Sequence, residues 1–199
     1  MRVLRAAEAE TRVEAPGVIR RVLVPRFGAD GFAGVGALRA VHLLTLDAGA
    51  TLPARRLANL SVLRLCWRPD SDTVWLLRQD CGAGAELPAW SAPAALEGVE
   101  FWVQSRRSNG VAVRHESRVD LSGACLAAPG MPGWDAPVWI DLGSADAAAT
   151  GASLCWAQVR WGSVEIGAFR LDAGDGLVPE SGTTLPVAPA AAILCVRGG

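Results

Sequence analysis

The sequence contains no lysine and no tyrosine, so its 19 basic residues are all arginine. Schiff-base chemistry on a lysine amine and acid–base catalysis by a phenol are therefore excluded. Histidine is nearly absent as well: His42 and His115 alone are too few, and too badly placed, for a two- or three-imidazole metal centre. Cysteine pairs are missing. Cys66, Cys81, Cys125, Cys155 and Cys195 form an odd set with no Cys-x-x-Cys spacing. Three of them lie inside apolar runs, where a free thiol packs as a small core residue rather than acting as nucleophile or ligand. Such cysteine usage fits a reducing cytoplasm.

Long apolar runs are also lacking. Nothing approaches the roughly 18–20 residues of a membrane-spanning helix, and Met1–Thr11, with Arg2, Arg5, Glu8 and Glu10, has no signal-peptide core. Net charge is only −1, with no basic or acidic block, so neither nucleic acid nor a membrane is an expected partner. There is no nucleophile elbow and no phosphate loop. The Gly34-Val35-Gly36 stretch opens a strand, not a helix, and so is no dinucleotide fingerprint.

What remains is a chain of 199 residues, 51% hydrophobic. That is enough for one large or two small β domains, burying roughly 70% of the unfolded surface. Short Gly- and Pro-punctuated strands dominate. Arg2–Ala9 reads as a strand running into a polar turn, and Gly17–Pro25 as a second strand. His42–Leu46, Leu60–Trp67, Thr73–Arg78 and Val99–Gln104 continue the series. Val111–Leu121 alternates apolar and polar residues and carries His115 on what should be a half-exposed strand. After Asp135–Ile140 and Leu154–Arg160, two short strands broken at Gly167 lead into Asp172-Ala173-Gly174-Asp175-Gly176. There Gly supplies positive φ and Asp bonds nearby backbone amides. Leu177–Pro179, Thr183–Val187 and Ala191–Val196 finish the train. This pattern predicts a small antiparallel barrel or sandwich architecture.

The ordered set Trp161-Gly162, Val164–Gly167, Phe169–Gly176 and Val178–Gly182, followed by a last apolar strand, resembles the closing half of a cupin domain, in particular the C-terminal domain of pirin-related proteins. Gly34–Val41 (GVGALRAV) is close to that family's N-terminal GFGALRV phrase, and Val99–Gln104 resembles the strand that closes its first barrel. The resemblance covers Phe27 to Val196. A second bicupin family, linked to histidine utilisation, resembles the chain loosely around Phe101–Arg107, but the C-terminal pattern favours the pirin relatives.

The resemblance implies an all-β fold of two tandem cupin (double-stranded β-helix, jelly-roll-like) barrels, residues 1–106 and 107–199, divided at the polar break Ser105–Gly110. Metal-binding relatives carry a Thr-His-Pro-His motif, whose two ligands share one face of a strand, completed by a distant His and a Glu. Here Ala54-Arg55-Arg56-Leu57 takes that place, with Arg55 and Leu57 where the imidazoles would stand. A guanidinium does not give up its proton to ligate, and Leu has no donor atom. The later His-Ser-Glu element is missing too, so no metal and no cofactor are expected.

Arg55, Arg39, Glu100 and Trp102 are the candidate ligand-binding residues. An arginine at a barrel mouth can grip a carboxylate or phosphate through forked hydrogen bonds, or can be a solvated strand end. Trp67, Trp75, Trp102, Trp139 and Trp156 fall in strands and should pack in the core, whereas Trp90 and Trp134 lie in loops and could line a cavity mouth. The leading expectation is a non-catalytic, cytoplasmic pirin-like protein, a monomer or small homo-oligomer, that binds a small molecule, with an anionic one in view, or acts as an interaction protein. The alternatives are a quercetin-dioxygenase-like or metal-independent enzyme in the N-terminal barrel, using Arg55 with Glu100 or Asp47, and a protein-interaction module built on the loop tryptophans.

Overall fold

The computed structural model describes residues 1–24, 38–69, 71, 73–104, 113–120, 138–142, 153–180 and 193–198. The connector after Pro25, the break at Ser105–Gly110, Thr183–Val187, Trp134 and Cys125 lie outside the described residues. Every described strand pairing is antiparallel. The chain is all-β, as its strand pattern requires.

The larger sheet has seven strands. In spatial order they are β12 (Val113–Asp120), β8 (Thr73–Asp80), β7 (Leu60–Trp67), β11 (Leu96–Gln104), β4 (Leu38–Leu46), β3 (Val18–Val24) and β2 (Glu10–Ala15). Two small ribbons pack across its concave face: β5 (Thr51–Leu52) with β10 (Trp90–Ser91), and β6 (Arg55–Leu57) with β9 (Ala85–Leu87). Alternation along each strand decides which residues meet them. Leu44, Leu46, Cys66 and Leu96 bury against Leu52 at one end, and Ala40, Val62, Leu77 and Trp102 against Leu57 and Leu87 at the other.

The second sheet orders β1 (Arg2–Leu4), β17 (Gly176–Val178), β14 (Ser153–Val159), β18 (Ile193–Gly198) and β13 (Val138–Leu142). The hairpin of β15 (Ser163–Ile166) and β16 (Phe169–Asp172) turns at Gly167, whose φ of 61° suits a residue without Cβ. Ala157, Val159, Val164, Ile166, Leu171 and Leu177 make its own apolar cluster.

Two strands are exchanged across the expected division at residue 106. β1 pairs with β17 in the second sheet, while β12 extends the first sheet beside β8. The sheets meet through a common core in which Trp156 packs with Leu63, Leu65, Trp67, Val99, Phe101 and Val103. That contact leaves no room at Gly176, where an added Cβ would stand 2.1 Å from the Trp156 ring. Arg160 seals one side: its guanidinium lies 3.7 Å from the Trp161 ring and 4.8 Å from that of Trp67, and it donates to the Ser71 carbonyl at 2.6 Å.

Asp175, in the turn singled out from the sequence, is buried and ties the segment after β1 to the turn before β17. Its carboxylate accepts from Arg5 at 2.6 Å and from the backbone amides of Ala6 at 2.9 Å and Asp172 at 3.0 Å. Trp67, Trp102 and Trp156 are core residues and Cys66 and Cys81 are buried free thiols, whereas His115 is exposed on the edge strand β12.

Candidate functional site

The concave face of the seven-stranded sheet should be apolar, because ribbons cover it. At its centre it is ionic. The inward positions of β3, β4, β7 and β11 are mostly Val, Leu, Ala, Gly or Trp, yet each strand places one polar group there: Arg20, His42, Arg64 and Glu100. Register brings them together, since Glu100 lies opposite His42 on one side and Arg64 on the other.

Glu100 is fully buried, with 0% exposure, and both its oxygens are occupied. Oε1 accepts from Arg20 Nη1 at 2.7 Å and from the Trp102 indole at 2.8 Å. Oε2 accepts from Arg64 Nε at 2.7 Å, with Arg64 Nη2 at 2.6 Å. Burial alone would raise the Glu100 pKa, but Arg64 and Arg20 outweigh it and hold the carboxyl well below the usual range.

Arg20 links this centre to the barrel mouth. Its Nε donates to Glu14 at 2.7 Å, and Glu14 also pairs with Arg55. Its Nη1 is also 2.9 Å from His42 Nδ1. Arginine has no acceptor, so Nδ1 must accept and His42 is neutral with its proton on Nε2. Burial pushes the His42 pKa down in keeping with this, against the pull of Glu100. The Trp102 ring meets that of His42 edge-on, with centroids 4.9 Å apart.

The structure thus brings three of the four expected site residues, Arg55, Glu100 and Trp102, into one network. Arg39 stands apart, as the extra residue of β4 where its register against β11 shifts, and donates to Gln104 at 3.3 Å. The carboxylate that meets Arg55 is Glu14, whereas Asp47 sits in an exposed turn. Arg20, His42, Arg64 and Glu14 were not read from the sequence as site residues. For Arg20, His42 and Arg64 the signal was a lone polar residue at the inward phase of an apolar strand, which is uncommon unless the group is paired; Glu14, on the mostly polar β2, carried none.

A divalent metal does not fit this set. Both Glu100 oxygens and His42 Nδ1 already accept from guanidinium or indole donors, and the inserted positive charges repel a cation. Among the described residues no three His, Cys, Asp or Glu side chains gather as metal ligands.

Beside the network lies a cavity of about 250 Å³ bordered by Arg64, Cys66, Trp75, Leu77, Trp90 and the β12 residues Glu116 and Arg118. Trp90, expected at a cavity mouth, lines it. Burial pushes the Cys66 thiol up to about 12, so it stays protonated and unreactive.

A seven-stranded antiparallel sheet closed by ribbons, and packed on a five-stranded antiparallel sheet, defines the class: an all-β cupin fold. Known structures show that this is the fold of the pirin-like cupins. Bacterial pirin YhhW from Escherichia coli in complex with nickel(II) superposes with a TM-score of 0.75 at 13% identity, covering 98% of this chain and 97% of that one. GK1651 from Geobacillus kaustophilus gives 0.62 at 10% identity over 99% and 94% of the two chains. Quercetin 2,3-dioxygenase from Acinetobacter baumannii gives 0.65 at 10% identity over 100% and 85%. No family model and no curated protein matches the sequence.

Proposed function

We propose that this pirin-like cupin binds a small organic molecule on the concave face of its first sheet, without a metal ion and without dioxygenase activity. The observation that carries the reading is the state of Glu100. In place of an open coordination position, the centre of the barrel holds a carboxylate with both oxygens bonded to Arg20, Arg64 and Trp102. Oxygen chemistry of the quercetin dioxygenase type needs an ion with free positions, and this donor set does not provide one. The adjoining cavity of about 250 Å³ supplies the space for a ligand. On this reading the chain is two cupin barrels that share strands. It works in the cytoplasm as a monomer or small homo-oligomer, with no nucleic-acid or membrane partner.

Elemental mass spectrometry on freshly purified protein, with thermal unfolding in added nickel(II), iron(II) or zinc(II), tests the metal-free part. The expected result is a metal content near zero and an unchanged Tm. One metal per chain, with a Tm rise that a chelator reverses, would overturn it. A fragment library read by the same thermal shift tests the binding part, which fails if no compound raises Tm.

A further inference from the structure

The network and the cavity share one residue. Arg64 turns its Nε and Nη2 edge toward Glu100 and lines the cavity as well. Because a guanidinium is planar, Nη1 then lies on the side away from Glu100. That nitrogen is buried and has no hydrogen-bond partner. Buried donors are nearly always satisfied, and a charged one all the more so.

Charge points the same way. Among the described residues, the guanidiniums of Arg20, Arg55 and Arg64 in the network face only the carboxylates of Glu14 and Glu100, and His42 is neutral. One positive charge is left over. At the cavity rim, Glu116 is paired with Arg114, while Arg118 lies 5.4 Å over the Trp75 ring and meets no carboxylate among the described residues. The register sets these groups in rows across the sheet: Glu116, Leu77, Arg64 and Glu100 in one, Arg118, Trp75 and Cys66 in the next.

Apart from Ser117, the rest of the lining is apolar. Trp75 and Trp90 present indoles, and Leu77 and the protonated Cys66 add no charge. A volume of about 250 Å³ falls just below the roughly 300–1,000 Å³ of typical ligand sites. That size suits one or two fused rings and is tight for a three-ring flavonol.

We propose that this cavity is the subsite for a planar aromatic carboxylate of one or two rings, its carboxylate directed to Arg64 and Arg118 and its rings against Trp75 and Trp90. The inference rests on the small-molecule reading above and adds the ligand class and the residues that read it.

Titration calorimetry of the full chain with 2-naphthoate, and with uncharged 2-naphthamide as its isostere, tests it. Naphthoate should bind at least tenfold more tightly than the amide. Arg118→Gln, on the exposed rim and safe for folding, should weaken naphthoate severalfold and leave the amide unchanged. Arg64→Gln, if it folds, should abolish the preference. Equal affinity for acid and amide overturns the charge-reading subsite while small-molecule binding stands. So does naphthoate binding that ignores Arg118→Gln and Arg64→Gln alike. If neither compound binds but other library compounds shift Tm, the subsite falls and the broader reading survives. If no compound binds at all, both fall.

Discussion

The two sheets solve the same packing problem differently. The second encloses an apolar cluster of Ala157, Val159, Val164, Ile166, Leu171 and Leu177, and its buried polar residue Gln158 donates to the backbone carbonyls of Gly174 and Asp175 at 2.8 and 3.0 Å. Those two bonds serve the chain's own turn. The first sheet instead buries an ion network whose members come from five strands and bond one another's side chains. Desolvating such ions is costly, and apolar residues of similar volume often pack as stably or better. The contrast marks the first concave face as the place where the sequence departs from what folding alone asks.

The largest effect that would break this contrast is loss of the central anion. Glu100→Ala leaves Arg20 and Arg64 buried without their partner, and about 3–5 kcal/mol of stability should go. Urea unfolding monitored by tryptophan fluorescence reads it, and a loss below about 1 kcal/mol would mean that the network is not paired as described. The triple replacement Arg20→Leu, Arg64→Met, Glu100→Leu sharpens the same point from the other side. Stability should be kept or should rise by about 1–4 kcal/mol, while small-molecule binding disappears. Retained binding would detach the network from function.

In the second sheet, the matching test is Asp175→Ala. The lost acceptor served Arg5 and two backbone amides, so a cost of about 1.5–3 kcal/mol is expected, with ligand affinity untouched. Gly176→Ala drives a Cβ into the Trp156 ring and should cost about 1–3 kcal/mol by overpacking. Both are read by the same unfolding curves.

A smaller effect is pH dependence. His42 has a folded pKa below its ordinary 6.5, so the unfolded chain takes up a proton first and stability should fall as pH drops below about 6.5. Glu100, held well below 4.5, contributes in full above about 4.5 and loses that contribution progressively as pH falls from there through its own depressed value. Unfolding midpoints between pH 8 and 5 should decline in the wild type and flatten in His42→Asn. A flat wild-type profile would show that His42 titrates alike in both states.

The fold was largely legible because alternation and turn residues are local signals. Leu60–Trp67 was read residue for residue, and the break at Gly167 fell where φ is positive. The strand β2 was missed because its sequence, ETRVEA, is mostly polar and sits on an exposed sheet edge, where no apolar face is needed. The ribbons of two or three residues are too short to show a period. At the site, Arg55, Glu100 and Trp102 could be singled out, but pairing could not. Arg20 and Glu100 are separated by 80 residues, Arg64 and Glu100 by 36, and contacts that distant leave no mark in a single sequence beyond a charge where alternation calls for an apolar residue.

The pairing of Arg2–Leu4 with Gly176–Val178 also has a meaning in time. At about 5–20 residues per second of synthesis, the N-terminal strand waits on the order of ten seconds or more before its partner exists. Through that interval β1 stands without the rest of its sheet, whose strands all lie beyond residue 137, and Asp175, which anchors Ala6 and Arg5, has yet to be made. The nascent chain therefore passes its vulnerable period with an apolar strand exposed at one end, and a ribosome-bound chaperone or a fast translation rate would be felt there before anywhere else in the molecule.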